Sequence, residues 1–406
     1  MPDAIIIGGG IIGGASLYYL LEEGYDGKVL VLEKRDALAQ DATSLSAGGF
    51  RNLWSTKVNM KLTTWSIERF KNFQDEIGVA IGYEPIGYLF TYYSEPWKKV
   101  REFIPVWNEN GVRAEEVKPE DIERFVPGFR PGLDHLDPDI VEFLGIEEIA
   151  GAVFGPDCGA FNPTSVATGY FERSKERYPE KVEIRLKSEV EKIVIENGRA
   201  KGIVITSGEK IESEMVILAA GAYSRDILVR SGIPDEENIP VYPVRRMLFI
   251  VNPPPIDGFM NIPMTIIDNG VYFRPEAGNL LVGRANPDEP VGYNYDADKN
   301  YYLDEMNPYM QARIPGMEYC RIQSMWGGLY AVNMWDHNAI ISPHISIENL
   351  FIVTGFSGHG AMEAPAAGKS IAEIILKGEP ETIPEVKELS MSRIKEGKRV
   401  KETIVI

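Results

Sequence analysis

The apolar run Ala4-Ile5-Ile6-Ile7 is cut off by Gly8-Gly9-Gly10, and Gly13 completes the spacing G-x-G-x-x-G. A short β-branched run of this kind suits a strand covered on both faces. Ala15 to Glu23 then reads as a helix, and beyond Gly24 and Gly27 a second apolar strand, Val29-Leu30-Val31-Leu32, ends at Glu33. Each part answers a requirement of a dinucleotide site: Gly8 permits the turn, Gly10 admits a pyrophosphate to the backbone, and Gly13 lets helix and strand pack closely. The helix N-terminus faces the phosphates, with Ile11 and Ile12 beside them. Glu33, 20 residues past Gly13, is placed to accept hydrogen bonds from a ribose diol, and Lys34 follows it. A carboxylate there disfavours a 2′-phosphate and hence NADP, while NAD and FAD both stay open.

The same segment bears on membranes, because Ala4 to Leu21 carries no charge and is about as long as a membrane span. Five glycines interrupt it and only Met1, Pro2 and Asp3 precede it, so neither a span nor a signal peptide is expected. With 406 residues, 44% of them hydrophobic, the chain has enough apolar surface for two or three domains. Its 42 basic and 60 acidic side chains leave a net charge of -18, which repels phosphate backbones and anionic headgroups. Nucleic acid is therefore not an expected partner. Cys158 and Cys320 stand far apart, outside any C-x-x-C spacing, which points to a reducing, cytoplasmic setting without disulfides. His135, His337, His344 and His359 are too scattered to hold a metal, and none is expected.

Three further segments carry a resemblance. They are Ser44-Leu-Ser46-Ala47-Gly48-Gly49-Phe50-Arg51, Val216-Ile-Leu-Ala-Ala220-Gly221-Ala222-Tyr223, and Asn349 through Thr354-Gly355-Phe356-Ser357-Gly358-His359-Gly360. Together with the N-terminal motif they resemble the FAD-dependent D-amino acid oxidase superfamily. The likeness is strongest to the sarcosine oxidase, sarcosine/dimethylglycine dehydrogenase and dye-linked L-proline dehydrogenase β-subunit group. It runs from Ala4 to about Gly378. The implied fold is α/β (α+β): a Rossmann-like FAD-binding domain of the glutathione-reductase type, interwoven with a mostly antiparallel β-sheet substrate domain. Residues 1–82, 148–228 and 331–406 would form the first, and 83–147 and 229–330 the second.

Residues matching the motifs then become cofactor candidates: Gly8, Gly10, Ile11, Ile12, Gly13, Glu33, Lys34, Ser44, Ser46, Ala47, Gly48, Gly49, Val190, Ala220, Gly221, Gly328, Gly355, Ser357, Gly358, His359, Gly360, Ala361 and Met362. Leu350 to Val353 reads as a strand and Ala366 to Leu376 as a helix, so the last glycine-rich turn aims a helix N-terminus at something negative, such as a reduced flavin. Arg51 matches an arginine close to the flavin, and Tyr330, in Trp326-Gly-Gly-Leu-Tyr330, matches a substrate-contacting position. With His359 they are the catalytic candidates, although His359 also reads as a packed loop histidine. Arg51, Tyr272, Arg274, Arg284, Tyr330 and Met362 are the substrate-binding candidates; Arg274 and Arg284 read equally well as partners of surface acids.

Departures from the family pattern matter too. Neither Gly327 nor Gly328 is the cysteine that tethers flavin in sarcosine oxidases, and residues 44–51 lack the tethering histidine of dimethylglycine dehydrogenases, so FAD is expected to be noncovalent. The family's oxygen-activating lysine falls at Leu281 and its carboxylate-binding lysine at Met362.

Along the chain, Val58 to Gln74 reads as a helix, Tyr88 to Tyr93 as a strand, and Glu95 to about Arg124 as a charged helical region. Gly159 to Pro163 is a turn before a helix over Thr164–Arg177, and Val182 to Thr206 reads as a meander with a hairpin at Asn197-Gly198. Pro240–Val251, Gly270–Phe273 and Leu280–Arg284 are strand-like, with a hairpin turn over Glu276–Asn279. Glu385 to Ile406 reads as a docked edge strand, an oligomer contact or a frayed tail.

The resemblance implies an FAD-dependent dehydrogenase, more than an oxidase, taking hydride from the α-carbon of a small secondary amino acid such as sarcosine or proline. Electrons would leave to a dye-like or quinone acceptor or to oxygen, and a homo- or hetero-oligomer stays open. The alternatives are a flavin dehydrogenase for a 2-hydroxy acid such as 2-hydroxyglutarate, and a noncatalytic FAD-containing assembly factor.

Overall fold

The computed structural model describes residues 1–404. Strand β1 (Ala4–Ile7) is buried along its whole length and lies parallel to β2 (Val29–Leu32), with Ala4 opposite Val29. Between them runs helix α1 (Ile11–Glu22), capped by Gly10. It begins four residues before the Ala15 read from the sequence, because Gly13 and Gly14 belong to its first turns and not to the loop. Met215–Leu218, Leu350–Thr354 and Val182–Arg185 extend the parallel sheet, and Ile340–Pro343 closes one edge antiparallel.

Two long helices, Pro163–Arg177 and Gly360–Lys377, pack against α1. Asn162 caps the first of them by accepting from Ser165 N at 3.1 Å. Val182–Arg185 does not join the expected meander; it pairs with β2, and only Val190–Glu196 and Arg199–Ile205 form the hairpin. Asn197 and Gly198, at φ 54° and 73°, supply its turn, a left-handed pair that this dipeptide tolerates.

The second sheet has eight strands, in the order Ile322–Asn333, Val241–Val251, Asn279–Arg284, Tyr272–Glu276, Met264–Ile266, Tyr88–Tyr92, Gly151–Gly155 and Glu115–Val117. All neighbours are antiparallel except Met264–Ile266 with Tyr88–Tyr92. Two boundaries read from the sequence shift as a result. The chain leaves this sheet after Gly155 and not at residue 148, and the strand ending at Asn333 crosses the division placed after residue 330. The charged helix spans Ser94–Glu109 and stops, since Glu115–Val117 is needed as the edge strand.

Helix α2 (Lys57–Lys71) ends at Asn72, before a short helix over Phe73–Ile77. After Gly378 the chain makes a 3-10 turn over Pro384–Leu389 and a short helix over Ser392–Lys395, then runs irregularly to Ile404 and docks without forming an edge strand. The reading of that tail at Val405 and Ile406 lies outside the described residues. Among the described residues no helix is long and apolar enough to cross a membrane, and the apolar stretch from Ala4 to Leu21 is a strand, a turn and a helix.

One fully buried ion pair braces the second sheet. Arg313 donates to both oxygens of Asp268, at 2.5 and 2.8 Å, and also to Pro131 O and Glu147 O. Removing one partner strands a charge in the core. Arg313→Met is expected to cost about 3–5 kcal/mol in urea unfolding. The double variant Asp268→Leu with Arg313→Met should recover most of that loss.

Candidate active site

Two cavities meet where the sheets face one another. The larger, about 400 Å³, runs from Gly8, Gly10, Ile11, Ile12, Glu33 and Lys34 past Val190, Ala220 and Gly221 to Ser46, Tyr330, Ser357, Gly358, Gly360 and Ala361. The smaller, about 60 Å³, is walled by Ala47, Gly49, Arg51, Trp54, Tyr88, Met264, Tyr272, His359 and Met362. Ser46, Tyr330, Ser357, Gly358 and Ala361 line both and form the partition.

The glycine turn explains the shape of the large cavity. A methyl on Gly13 would stand 2.0 Å from Gly8 O, so only hydrogen lets α1 start this close to β1. Gly13 therefore acts from behind the wall. Glu33 is fixed by accepting from Gly9 N at 2.8 Å and Arg35 N at 2.7 Å. Ile11 N donates to Thr43 Oγ1 at 3.1 Å, a contact that the sequence did not announce.

At the far end Gly355, Ser357 and Gly358 have φ of 77°, 51° and 105°, which folds the loop back onto the strand Ile322–Asn333. Ser357 Oγ accepts from Asn333 N at 3.0 Å, and Ser357 N donates to Ala331 O at 3.0 Å. A Cβ on Gly358 would lie 2.4 Å from the Tyr330 ring, and one on Gly49 2.0 Å from the Tyr88 hydroxyl. Both glycines thus let backbone lie flat against a phenol. The helix Gly360–Lys377 begins beside this partition with no side-chain cap.

Several sequence-read residues lie outside both cavities. Arg274 is buried, donating to Ala47 O at 2.7 and 3.1 Å and to Pro275 O at 2.8 Å; it props the Ser46–Gly48 loop from behind. Arg284 is consumed by Asn269 O and Oδ1, the Tyr301 hydroxyl and Glu305. Neither arginine lines either cavity, because each has enough backbone and side-chain acceptors nearby. Ser44 is exposed and turns back to Asp41 O, while Gly328 abuts Leu45 and Gly48 and Gly355 shape turns.

Other groups were missed. Tyr223 stacks on Tyr293 with centroids 4.9 Å apart, its hydroxyl lies 2.6 Å from that of Tyr295, and Tyr295 donates to Asp41 Oδ1 at 2.9 Å over the mouth of the large cavity. Tyr293 and Tyr295 sit in an aperiodic loop, which offers no pattern to read. Trp54 lies between Arg51, 3.5 Å from its ring, and His359, whose ring centroid is 4.4 Å away.

The charges around the small cavity are set by burial. Burial, then the nearby Arg51 charge, carries His359 down to about 3, so its imidazole is neutral; neither ring nitrogen has a partner among the described residues. Burial, then Glu402, raises Glu363 well above the carboxylate range, and both its oxygens are unpartnered among the described residues. Burial keeps Tyr330 and Tyr272 protonated. Arg51 is the only cation among the residues lining the small cavity, and no carboxylate lines it. Among the described residues no group of three or more His, Cys, Asp or Glu side chains is placed to hold a metal.

A glycine-cradled cavity of this length beside a helix N-terminus fits a dinucleotide whose reactive end reaches the partition. The comparisons give the class. The family model described as FAD dependent oxidoreductase matches residues 3–374, and the chain belongs to that family. FAD, held without a covalent tether, is its cofactor. FAD-dependent oxidoreductase domain-containing protein 1 of Xenopus laevis is 27% identical over 401 residues, covering 93% of this chain and 79% of that protein. The 4-methylaminobutanoate oxidase (formaldehyde-forming) of Paenarthrobacter nicotinovorans is 24% identical, over 93% of this chain and 44% of that one. The crystal structure of L-proline dehydrogenase from P. horikoshii superposes with a TM-score of 0.83 at 26% identity, covering 98% of both chains.

Glu363 is held protonated in the folded chain and loses its proton near 4.5 when unfolded, so it opposes folding increasingly as pH rises above that value. Glu363→Gln, which cannot ionise, is expected to gain stability relative to the native chain as pH climbs from 5 towards 9. Parallel urea midpoints for the two proteins across that range would show that Glu363 is ionised in the fold.

Proposed function

We propose that this protein is an FAD-dependent dehydrogenase that oxidises the CH–NH bond of a small secondary amino acid such as sarcosine or proline. The observation that carries the reading is the small cavity: one guanidinium, Arg51, faces phenols from Tyr88, Tyr272 and Tyr330 in a space without a carboxylate. Arg51 supplies the charge for the substrate carboxylate. An ammonium would find no counter-ion there, whereas a neutral amine suits the aromatic wall. The names of the relatives, an N-methylamino acid oxidase and a proline dehydrogenase, agree with that substrate class.

In this reading Gly8, Gly10, Ile11, Ile12 and Glu33 hold the pyrophosphate and ribose, Val190 the adenine, and Gly358 to Met362 the ring end of FAD. Bound FAD supplies a two-electron acceptor. With FAD bound, the amine nitrogen would give its lone pair to a new C=N bond as the two electrons of the α C–H pass as hydride to that acceptor, and water would hydrolyse the resulting iminium. Tyr330 and His359 orient the substrate and exclude water; neither must act as a base, since the amine enters already neutral. Leu281 stands where related oxidases carry the oxygen-activating lysine, which favours a dye-like or quinone acceptor over oxygen, and Met362 replaces their carboxylate-binding lysine, which leaves Arg51 as the cation of the small cavity. We place the protein in a reducing, cytoplasmic compartment on the strength of its two free, buried cysteines.

Anaerobic mixing with L-proline or sarcosine should bleach the flavin, whereas 2-hydroxyglutarate should not, and the reduction rate at subsaturating substrate should rise with pH as a larger fraction of the amine is neutral. Arg51→Met should raise the KM by about tenfold or more, the loss of one charge-assisted contact. Bleaching by the hydroxy acid alone would transfer the assignment to hydroxy acid oxidation, and no bleaching by either class would favour a noncatalytic role.

A further inference from the structure

The segment Lys398–Ile404 reaches the wall of the small cavity from the far side. Trp335 Nε1 donates to Lys398 O at 2.8 Å, Asn338 Nδ2 donates to Val400 O at 2.5 Å, and Val400 N donates to Asp336 Oδ2 at 3.2 Å. Beyond these contacts Glu402 is 1% exposed and carries the anchor. Its carboxylate accepts from Ser55 N at 2.9 Å, Ser55 Oγ at 2.6 Å, Thr56 N at 3.1 Å, Thr56 Oγ1 at 2.9 Å and Asn59 Nδ2 at 3.3 Å. Thr56 is the cap position of α2, so a carboxylate from the other end of the chain closes that helix.

The same carboxylate folds the chain that follows it. Thr403 N and Ile404 N donate to Glu402 Oε1 at 3.0 and 2.9 Å, which turns Ile404 O onto the guanidinium of Arg51. Arg51 also donates to Leu53 O at 2.6 Å and lies 3.5 Å above the Trp54 ring. Two neutral carbonyls and an indole therefore fix the plane of the guanidinium while its remaining N–H groups and its full charge are left for the cavity. A buried arginine without such fixed acceptors would have to be ordered by the ligand itself, at a cost in affinity.

We propose that Glu402 is a positioning residue of the substrate site, acting through Ile404 O on Arg51 so that the guanidinium is preset for a carboxylate. This rests on the reading of Arg51 as the carboxylate-binding group. The test uses the FAD-loaded protein and acetate as the probe, with binding read from the perturbation of the flavin spectrum and no turnover required. Glu402→Ala should weaken acetate binding about fivefold or more, with Glu402→Asp restoring part of it. With an amino acid substrate the same variants should raise KM and leave kcat nearly unchanged. Ser55→Ala removes one hydroxyl donor and keeps both the carboxylate and its backbone contacts. It should give a smaller loss in the same direction, and it decides the matter if Glu402→Ala does not retain FAD. Unchanged acetate binding in these variants would reduce the segment to packing, and tighter binding would make Ile404 O a competitor; either overturns the proposal. Acetate that binds and weakens as expected in a protein no amino acid reduces would keep the positioning role and remove the amine chemistry.

Discussion

Helix α1 is clasped at backbone distance on three sides. A methyl group on Gly13 would meet Gly8 O at 2.0 Å, one on Gly14 would meet Ala167 O at 3.0 Å, and one on Gly368 would meet the Ala15 carbonyl carbon at 2.5 Å. The first contact sets α1 against β1, the second against Pro163–Arg177, and the third against Gly360–Lys377. Because these distances are set by backbone and hydrogen alone, they leave little slack in where the two helix N-termini point. One opens at Gly10 on the large cavity and the other at the partition, so the packing of α1 fixes both ends of the large cavity.

Electrostatically the molecule runs against its own surface. A net charge of -18 covers the outside, yet the small cavity holds a lone guanidinium among neutral groups. Burial works to raise Glu402 as well, but hydrogen bonds from Ser55 and the Ile404 N–H, with the charge of Arg51, carry it below the ordinary range. Glu363 has no such donors among the described residues and stays protonated. Two buried glutamates near one arginine thus take opposite states, and the difference is made by which of them caps a helix. The result is a positive centre balanced at a distance, which leaves its field available to a carboxylate or to a reduced flavin.

Much of this was legible where chemistry and local pattern coincide. The unit β1–α1–β2 could be read because strand period, glycine spacing and terminal acid all lie within one short stretch, and the hairpin at Asn197-Gly198 because its dipeptide dictates the turn. Arg51, Tyr330 and Met362 were found through motif matches, and they do meet at the small cavity. Arg274 and Arg284 follow the second of the two readings open to them, as partners of Glu276 and Glu305, and the sequence left both open because an arginine looks the same there whether it faces a ligand, an acid or a carbonyl. Val182–Arg185 misled for a related reason: its pairing with β2 depends on residues about 150 positions away, which no local pattern records.

Glu402 illustrates the limit most sharply. In sequence it is one acid in a charged tail, yet its oxygens accept from residues 343 to 347 positions earlier. Capping α2 is a demand made by that helix, whose own Thr56 side chain gives no cap bond, and the demand is met from outside its sequence neighbourhood. The same geometry joins the end of the described chain to the only cation among the residues lining the small cavity. Interwoven folds of this kind place their cavity walls at the meeting of segments far apart in sequence. Motifs therefore reveal which groups line the two cavities, while the groups that hold those in place become visible only once the chain is folded.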